Sequence, residues 1–273
     1  MKKKHSFTNI LLGLIFLIGL SLLLYPSFSN WWNSFHQTRA IASYTEQVAQ
    51  MDDEQYREMW EAAWEYNQSL LENPNSFVLT EEQQEQYEQL LNIGDNGIMG
   101  YVEIPSIDVM LPIYHGTDVN VLQIAVGHIE WTSLPVGGES SHCVISGHRG
   151  LPSAKLFTDV DQLTEGDVFL LRTLDEVLTY EVDQIRIVLP SELDELLIQE
   201  GEDLCTLVTC TPYGINSHRI LIRGHRIENV EDGSNVRVAA DAIQIAPKIV
   251  APFLAIPMLL VLLIMLLLPK RKK

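Results

Sequence analysis

The chain has 273 residues and three cysteines, Cys143, Cys205 and Cys210. Cys143 and Cys205 lie inside apolar runs, where a free thiol normally serves packing. Cys210 ends the run Thr206-Leu207-Val208-Thr209, and Pro212 stops the strand two residues later. A thiol at a strand end opens onto a loop, where a substrate can reach it. Five strand residues put Cys205 and Cys210 about 17 Å apart, too far for a disulfide. An odd count also argues against a disulfide framework. Taken alone, Cys210 fits a structural thiol as well as a nucleophile.

Two other residue types could complete an acyl-transfer site. Ser146-Gly147-His148-Arg149-Gly150 ends an apolar run in a histidine bracketed by glycines. Glycine lets the backbone turn sharply, and imidazole moves protons near neutral pH. His115, His128, His142, His218 and His225 compete for that role, and a lone histidine is more often a satisfied polar group. Arg219 follows Cys210 by nine residues. A loop over Thr211 to His218 would return the chain as an antiparallel neighbour and bring the guanidinium beside the thiol. Acyl transfer needs donors aimed at a developing oxyanion, and a permanent cation serves. A surface arginine is the plainer reading of that residue by itself.

The elements that must position these groups are short strands. Runs at Tyr101–Ile104, Val109–Tyr114, His142–Ser146, Asp167–Arg172, Val177–Val182, Ile185–Leu189, Leu204–Cys210 and Arg219–Gly224 are split by Gly and Pro. So many strands in about 130 residues predict a mainly β sandwich or closed barrel. Before them, apolar residues from Ile41 to Leu71 recur at three and four residue steps, predicting a helix from Arg39 to Leu71. Thr80 with Gln83 makes a capping box that opens a short polar helix to about Leu91.

Formal net charge is −18, which excludes the basic face that nucleic acid requires. The charge is uneven. The two tips, Lys2 to Lys4 and Lys270 to Lys273, hold seven of the 18 basic residues and no acidic one. Phe7 to Tyr25 and Ile249 to Leu268 are uncharged, and a bilayer span needs about 20 apolar residues. Basic outer flanks place both termini in the cytoplasm and the acidic middle outside. A cleaved signal peptide, with Ser27 and Ser29 as a small-x-small site, is the alternative for the first run. The histidines are not spaced as metal ligands, and no metal or other cofactor is expected.

Taken together, the motifs resemble the sortases. Thr206 to Cys210 matches the Thr-Leu-x-Thr-Cys motif, with Arg219 on the next strand and His148 upstream. The segments Ile104-Pro105-Ser106-Ile107, Leu111 to Gly116, Ser133 to Gly138, Gly147 to Pro152 and Thr209 to Gly214 are similar to the class C, pilin-polymerising branch. A second, C-terminal span is also that branch's habit. The resemblance implies an eight-stranded sortase β-barrel with N-terminal helices, flanked by two transmembrane helices. It implies catalysis by Cys210, His148 and Arg219, with Thr209, Thr211 and Tyr213 beside the substrate. The substrates implied are pilins or surface proteins with LPxTG-like signals, joined through a Cys210 thioester at the cell membrane. Many class C enzymes carry an Asp-Pro-aromatic lid. Here the matching segment is Asn73-Pro74-Asn75-Ser76-Phe77, so the acidic anchor is missing and Pro74 and Phe77 remain as lid residues.

The domain reading that follows is an anchor or signal segment over 1–27 and a helical region with the lid-like loop over 28–97. The barrel occupies 98–228, a linker 229–247, and a C-terminal span with a basic tail 248–273. Two other functions compete. One is a housekeeping sortase attaching proteins to cell-wall precursor, which usually lacks the second span. The other is a non-catalytic, membrane-tethered domain that docks pilins with Cys210 buried. A peptidoglycan L,D-transpeptidase fits poorly, because its His and Cys motifs lie close together, whereas His148 and Cys210 are 62 residues apart.

Overall fold

A computed structural model of the chain describes residues 2–72 and 76–229. Residues 249–268, expected to form the second span, lie outside the described residues, as does Pro74. The first expected span is the start of a much longer helix. Helix α1 (Lys2–Gln50) continues through Pro26 without interruption. Among the described residues it is the one helix long and apolar enough to cross a membrane.

The single helix expected from Arg39 to Leu71 is two. Asp52 adopts an extended backbone, and its carboxylate accepts from the backbone N–H of Glu54 and Gln55, opening α2 (Asp53–Leu70) with a capping box. That cap satisfies amides a helix start leaves without partners, so the chain breaks there although the apolar period runs on. Helix α3 (Glu81–Gln89) starts at the Thr80–Gln83 box read from the sequence.

Eight strands close into a barrel. They are β1 (Ile98–Ile104), β2 (Val109–His115), β3 (Val126–His128), β4 (Ser141–Gly147), β5 (Val168–Thr173), β6 (Glu176–Val188), β7 (Asp203–Thr211) and β8 (His218–Ile227). A four-residue helix, α4 (Val119–Leu122), lies between β2 and β3. The barrel order is β1-β2-β3-β4-β7-β8-β6-β5, back to β1. Two expected strands, Val177–Val182 and Ile185–Leu189, are halves of β6, joined across a register shift between Val182 and Gln184. A bulge bends a strand without ending it, so the polar Asp183-Gln184 pair reads as a turn in sequence and is none. Strand β3 is too short to show a period and was not expected.

The helices are stitched to the barrel by buried polar side chains. The Tyr44 hydroxyl on α1 donates to Met99 O (3.1 Å) and accepts from Leu174 N (2.7 Å). Asn67 on α2 is buried and bonds both Leu134 O (3.1 Å) and Leu134 N (2.7 Å). Tyr87 on α3 is fully buried and reaches His128 Nδ1 at 3.0 Å. Leaving any of these partners unsatisfied inside would cost about 1–3 kcal/mol.

Candidate active site

Three adjacent strands carry the candidate residues. Strands β4 and β7 run parallel, with Ser146 opposite Val208. Strands β7 and β8 run antiparallel, with Cys210 directly opposite Arg219. Side chains alternate across a sheet. On β7, Cys205 and Leu207 point into the main core, whereas Val208 belongs to a separate outer apolar cluster with Val144 of β4 and Leu221 of β8. Cys210 is two residues beyond Val208 and shares its outer face. His148 is two residues beyond Ser146, in step with Cys210. The Thr209 hydroxyl donates to Gly147 O (2.7 Å), which fixes that register at the strand ends. Cys210, His148 and Arg219 therefore emerge on one face at one rim of the barrel.

The loop after β4 needs its glycines for different reasons. A Cβ on Gly147 would meet the Phe157 ring at 2.6 Å and Val126 at 2.9 Å. Gly150 has φ +74°, in the left-handed region, and a Cβ there would lie 2.4 Å from the Tyr213 ring. Tyr213 also lies under the Arg149 guanidinium, 6.0 Å from its ring centre. Thus the β7–β8 loop after Cys210 packs on the loop that carries His148.

Cys210 is a free, half-buried thiol. His148 is half-buried, and loss of solvent lowers its pKa below the ordinary 6.5, since burial disfavours the charged ring. The Arg219 Nη1 donates to the carbonyls of Asn216 (3.2 Å) and His218 (3.1 Å), both just before it in the chain. The Nε and Nη2 hydrogens of a guanidinium with five donors remain for a substrate. The site can thus supply a nucleophile, a neutral imidazole and a fixed cation on one surface.

Four of the other histidines have partners of their own. His142 is fully buried between Leu197 O and the Thr206 hydroxyl, and burial lowers its pKa to about 4. His128 is buried against Tyr87 and Ser133 O, and His115 bonds Gly97 O and Leu90 O. His218 follows Ser217, whose hydroxyl is 2.9 Å from its Nδ1. Cys143 and Cys205 pair across β4 and β7 inside the barrel, and burial pushes the Cys205 thiol well above its ordinary pKa.

Some expected contacts fall elsewhere. Thr209 is 2% exposed with its hydroxyl committed to Gly147 O, so it ties β7 to β4 from inside. Thr211 shares that face and is also buried. Tyr213 is exposed. Phe77 packs edge-on against Trp131, ring centres 5.0 Å apart. Trp131 in turn packs on the outer cluster of Val144, Leu196, Val208 and Leu221. Val144 is four residues before His148, about 13 Å down the strand. This apolar strip, leading from Trp131 to Cys210, was not singled out in the sequence. Its signal was the alternate residue set of β7, Thr206, Val208 and Cys210, which the continuous apolar run concealed.

A family profile described as Sortase domain matches residues 102–227. The crystal structure of sortase C1 from Streptococcus agalactiae is 48% identical, covers 70% of this chain and 99% of that chain, and superposes with a TM-score of 0.69. The chain belongs to the sortase family. Several of its similar solved structures are sortases C. Sortase C from Streptococcus pneumoniae is 46% identical over 70% of this chain and 97% of that one, with a TM-score of 0.64. Among curated proteins, sortase D of Bacillus subtilis (strain 168) is 32% identical over 131 residues, spanning 47% of this sortase and 63% of that relative.

Proposed function

We propose that the protein is a membrane-held cysteine transpeptidase that cleaves an LPxTG-like sorting signal and joins pilin subunits through isopeptide bonds. The observation that carries this reading is the direct Cys210–Arg219 pairing, with His148 in step on the adjoining strand, at the head of an apolar strip. A sortase C described for its pilin substrate specificity is among the similar solved structures.

The chemistry follows from the placement. The Cys210 sulfur attacks the carbonyl of the signal's threonine while the strip takes the signal's apolar residues. Arg219 stabilises the tetrahedral oxyanion with its unused guanidinium hydrogens. His148 takes the Cys210 thiol proton as the sulfur attacks and passes it to the leaving amine, and the acyl group rests on Cys210 as a thioester. A lysine amine then attacks, His148 receives its proton, and the thiol is regenerated. Splitting one amide exchange into two steps needs no cofactor.

The test is incubation of the purified protein with a pilin that carries both a sorting signal and an acceptor lysine. The expected result is a Cys210 thioester by mass spectrometry and a ladder of multimers that survives boiling in detergent. Replacing the acceptor lysine should leave the thioester and remove the ladder. Transfer only to cell-wall precursor amines would make the protein a housekeeping sortase instead. No thioester with any substrate would leave a docking domain.

A further inference from the structure

We propose that the barrel rim carrying Cys210, His148 and Arg219 lies against the headgroup layer of the bilayer that holds α1, so that the site opens toward the membrane. The inference deepens the proposed function and rests on its reading of α1 as an anchor.

The argument is the path of α1 along the barrel. Its first contacts after the apolar stretch are at the Cys210 rim. The Asn30 Oδ1 accepts from Lys155 N (2.7 Å), and Asn33 Nδ2 donates to Ser153 O (2.8 Å), both in the loop that follows His148. That loop is fixed to the same rim, because Lys155 Nζ donates to Ile107 O (3.1 Å) in the turn between β1 and β2. Farther along, Tyr44 reaches Met99 at the start of β1 and Leu174 in the β5–β6 turn, which are at the opposite rim. Fourteen helical residues from Asn30 to Tyr44 span about 21 Å, roughly the barrel's height. The helix therefore meets the Cys210 rim first and the other rim last.

The membrane lies upstream. Tyr25, the end of the uncharged run, is five residues before Asn30, about 8 Å along the axis. The headgroup region of one leaflet is about 5–8 Å deep. Exposed Tyr25, Phe28, Trp31 and Trp32 occupy the same stretch, the level at which aromatic side chains collect. Pro26 removes one helical hydrogen bond, and a kink of some 20° or more tilts the axis but does not reverse it.

The Cys210 rim also presents an apolar loop to solvent. On the Cys210 side the exposed large apolar residues include Tyr213 (62%) and Ile215 (72%) in the β7–β8 loop, with Ile187 and Leu189 at the end of β6. Exposed carboxylates occur at both rims, among them Asp108, Asp161 and Glu192 on the Cys210 side and Glu139, Asp175, Glu176, Glu200 and Glu202 on the other, so it is the exposed apolar loop and not the charge that marks the Cys210 side. Exposed apolar residues gain from burial in an interface. A peptide must then enter sideways, along the membrane surface, and reach Cys210 while still close to the bilayer.

Fluorescence quenching tests this on the full chain in nanodiscs of phosphatidylglycerol and phosphatidylcholine that contain lipids brominated near the headgroup. A Cys210→Ala background leaves only the buried Cys143 and Cys205, so a bimane label reports one added cysteine. The label at Ile215→Cys should lose at least half its intensity, and the label at Asp175→Cys should be unchanged. Leu14→Cys, within the apolar stretch, reports the anchor itself in matching nanodiscs whose lipids are brominated deep in the acyl chains. Quenching at Leu14→Cys with equal, negligible quenching at Ile215→Cys and Asp175→Cys would overturn the orientation and keep the anchor. No quenching at Leu14→Cys would remove both.

Discussion

Cys210 and Arg219 sit directly opposite each other across β7 and β8, and the guanidinium is tied by Nη1 to the carbonyls of Asn216 in the loop between them and His218 at the start of β8. The cation is thus held before any substrate arrives, and little reorganisation is needed when charge develops on the bound carbonyl. Arg219→Ala should lower turnover of a sorting-signal peptide by about 10²–10³-fold, as removal of one oxyanion donor does elsewhere. Arg219→Lys should recover little, because a point charge cannot keep two loop carbonyls and a substrate oxygen together. Circular dichroism should show both variants folded, since Arg219 is at the sheet's outer face.

Cys210→Ala should abolish thioester formation, and His148→Ala should reduce turnover by roughly 10²–10⁴-fold. Cys143→Ala and Cys205→Ala should leave turnover near the parent value and lower the unfolding midpoint, because both thiols fill the barrel interior. A peptide-release assay run beside thermal melts separates the two groups. His128→Ala or His142→Ala should show up in the melts first.

Acid should destabilise the protein through His142. Its pKa is about 6.5 in an unfolded chain and about 4 in the fold. Between those values the unfolded state binds a proton that the native state refuses, so stability rises with pH. The contribution is complete above pH 6.5 and is lost as pH falls toward 4, about 3 kcal/mol in all. Denaturant titrations at several pH values should show this slope in the parent and a flatter one in His142→Gln. Activity should decline in the same direction, since His148 is neutral above pH 6.5 and becomes charged at a lower pH.

The position of Phe77 on Trp131 separates two kinds of access. A small alkylating reagent approaches Cys210 without displacing that contact. A peptide laid along the apolar strip must meet it. Phe77→Ala should therefore leave the alkylation rate of Cys210 within about twofold and lower the KM for a sorting-signal peptide. A large acceleration of alkylation would mean that the lid segment covers the thiol.

Gly150→Ala should be costly for its position near the surface. A side chain there collides with the Tyr213 ring at 2.4 Å and has a strained φ of +74°. The β7–β8 loop must shift, and the Arg219 carbonyl cradle shifts with it. Turnover should fall more than the melting temperature does, which a paired assay would show.

Much of the site was legible because each residue ended an element. Cys210 before a proline, His148 between glycines and Arg219 after a loop all marked strand ends, and barrel closure brings strand ends together. The capping box at Thr80 was equally plain, as local hydrogen bonds need no tertiary context. The break at Asp52 was not, because an apolar period continuing across it outweighed a single cap. Nor could the sequence assign the faces of β7. A strand buried on both sides has no alternation, so Thr209 looked as available as Cys210 until the register placed them on opposite faces. The partner of Phe77 depended on Trp131, more than 50 residues away in the chain, and no local pattern connects them.

The Tyr44 hydroxyl bridges Met99 at the start of β1 and Leu174 beyond β5, two neighbouring strands of the closed barrel. This makes α1 a mechanical member of the domain. Under the proposed function, a polymer attached to Cys210 and pulled by flow would load β7, which is bonded along its length on both sides to β4 and β8. Tension along those strands acts in shear, against many hydrogen bonds at once, and passes into α1 at Asn30 and Asn33 on one side and Tyr44 on the other. The helix then resists as a splint across the whole height of the barrel, and the domain yields to traction as one body.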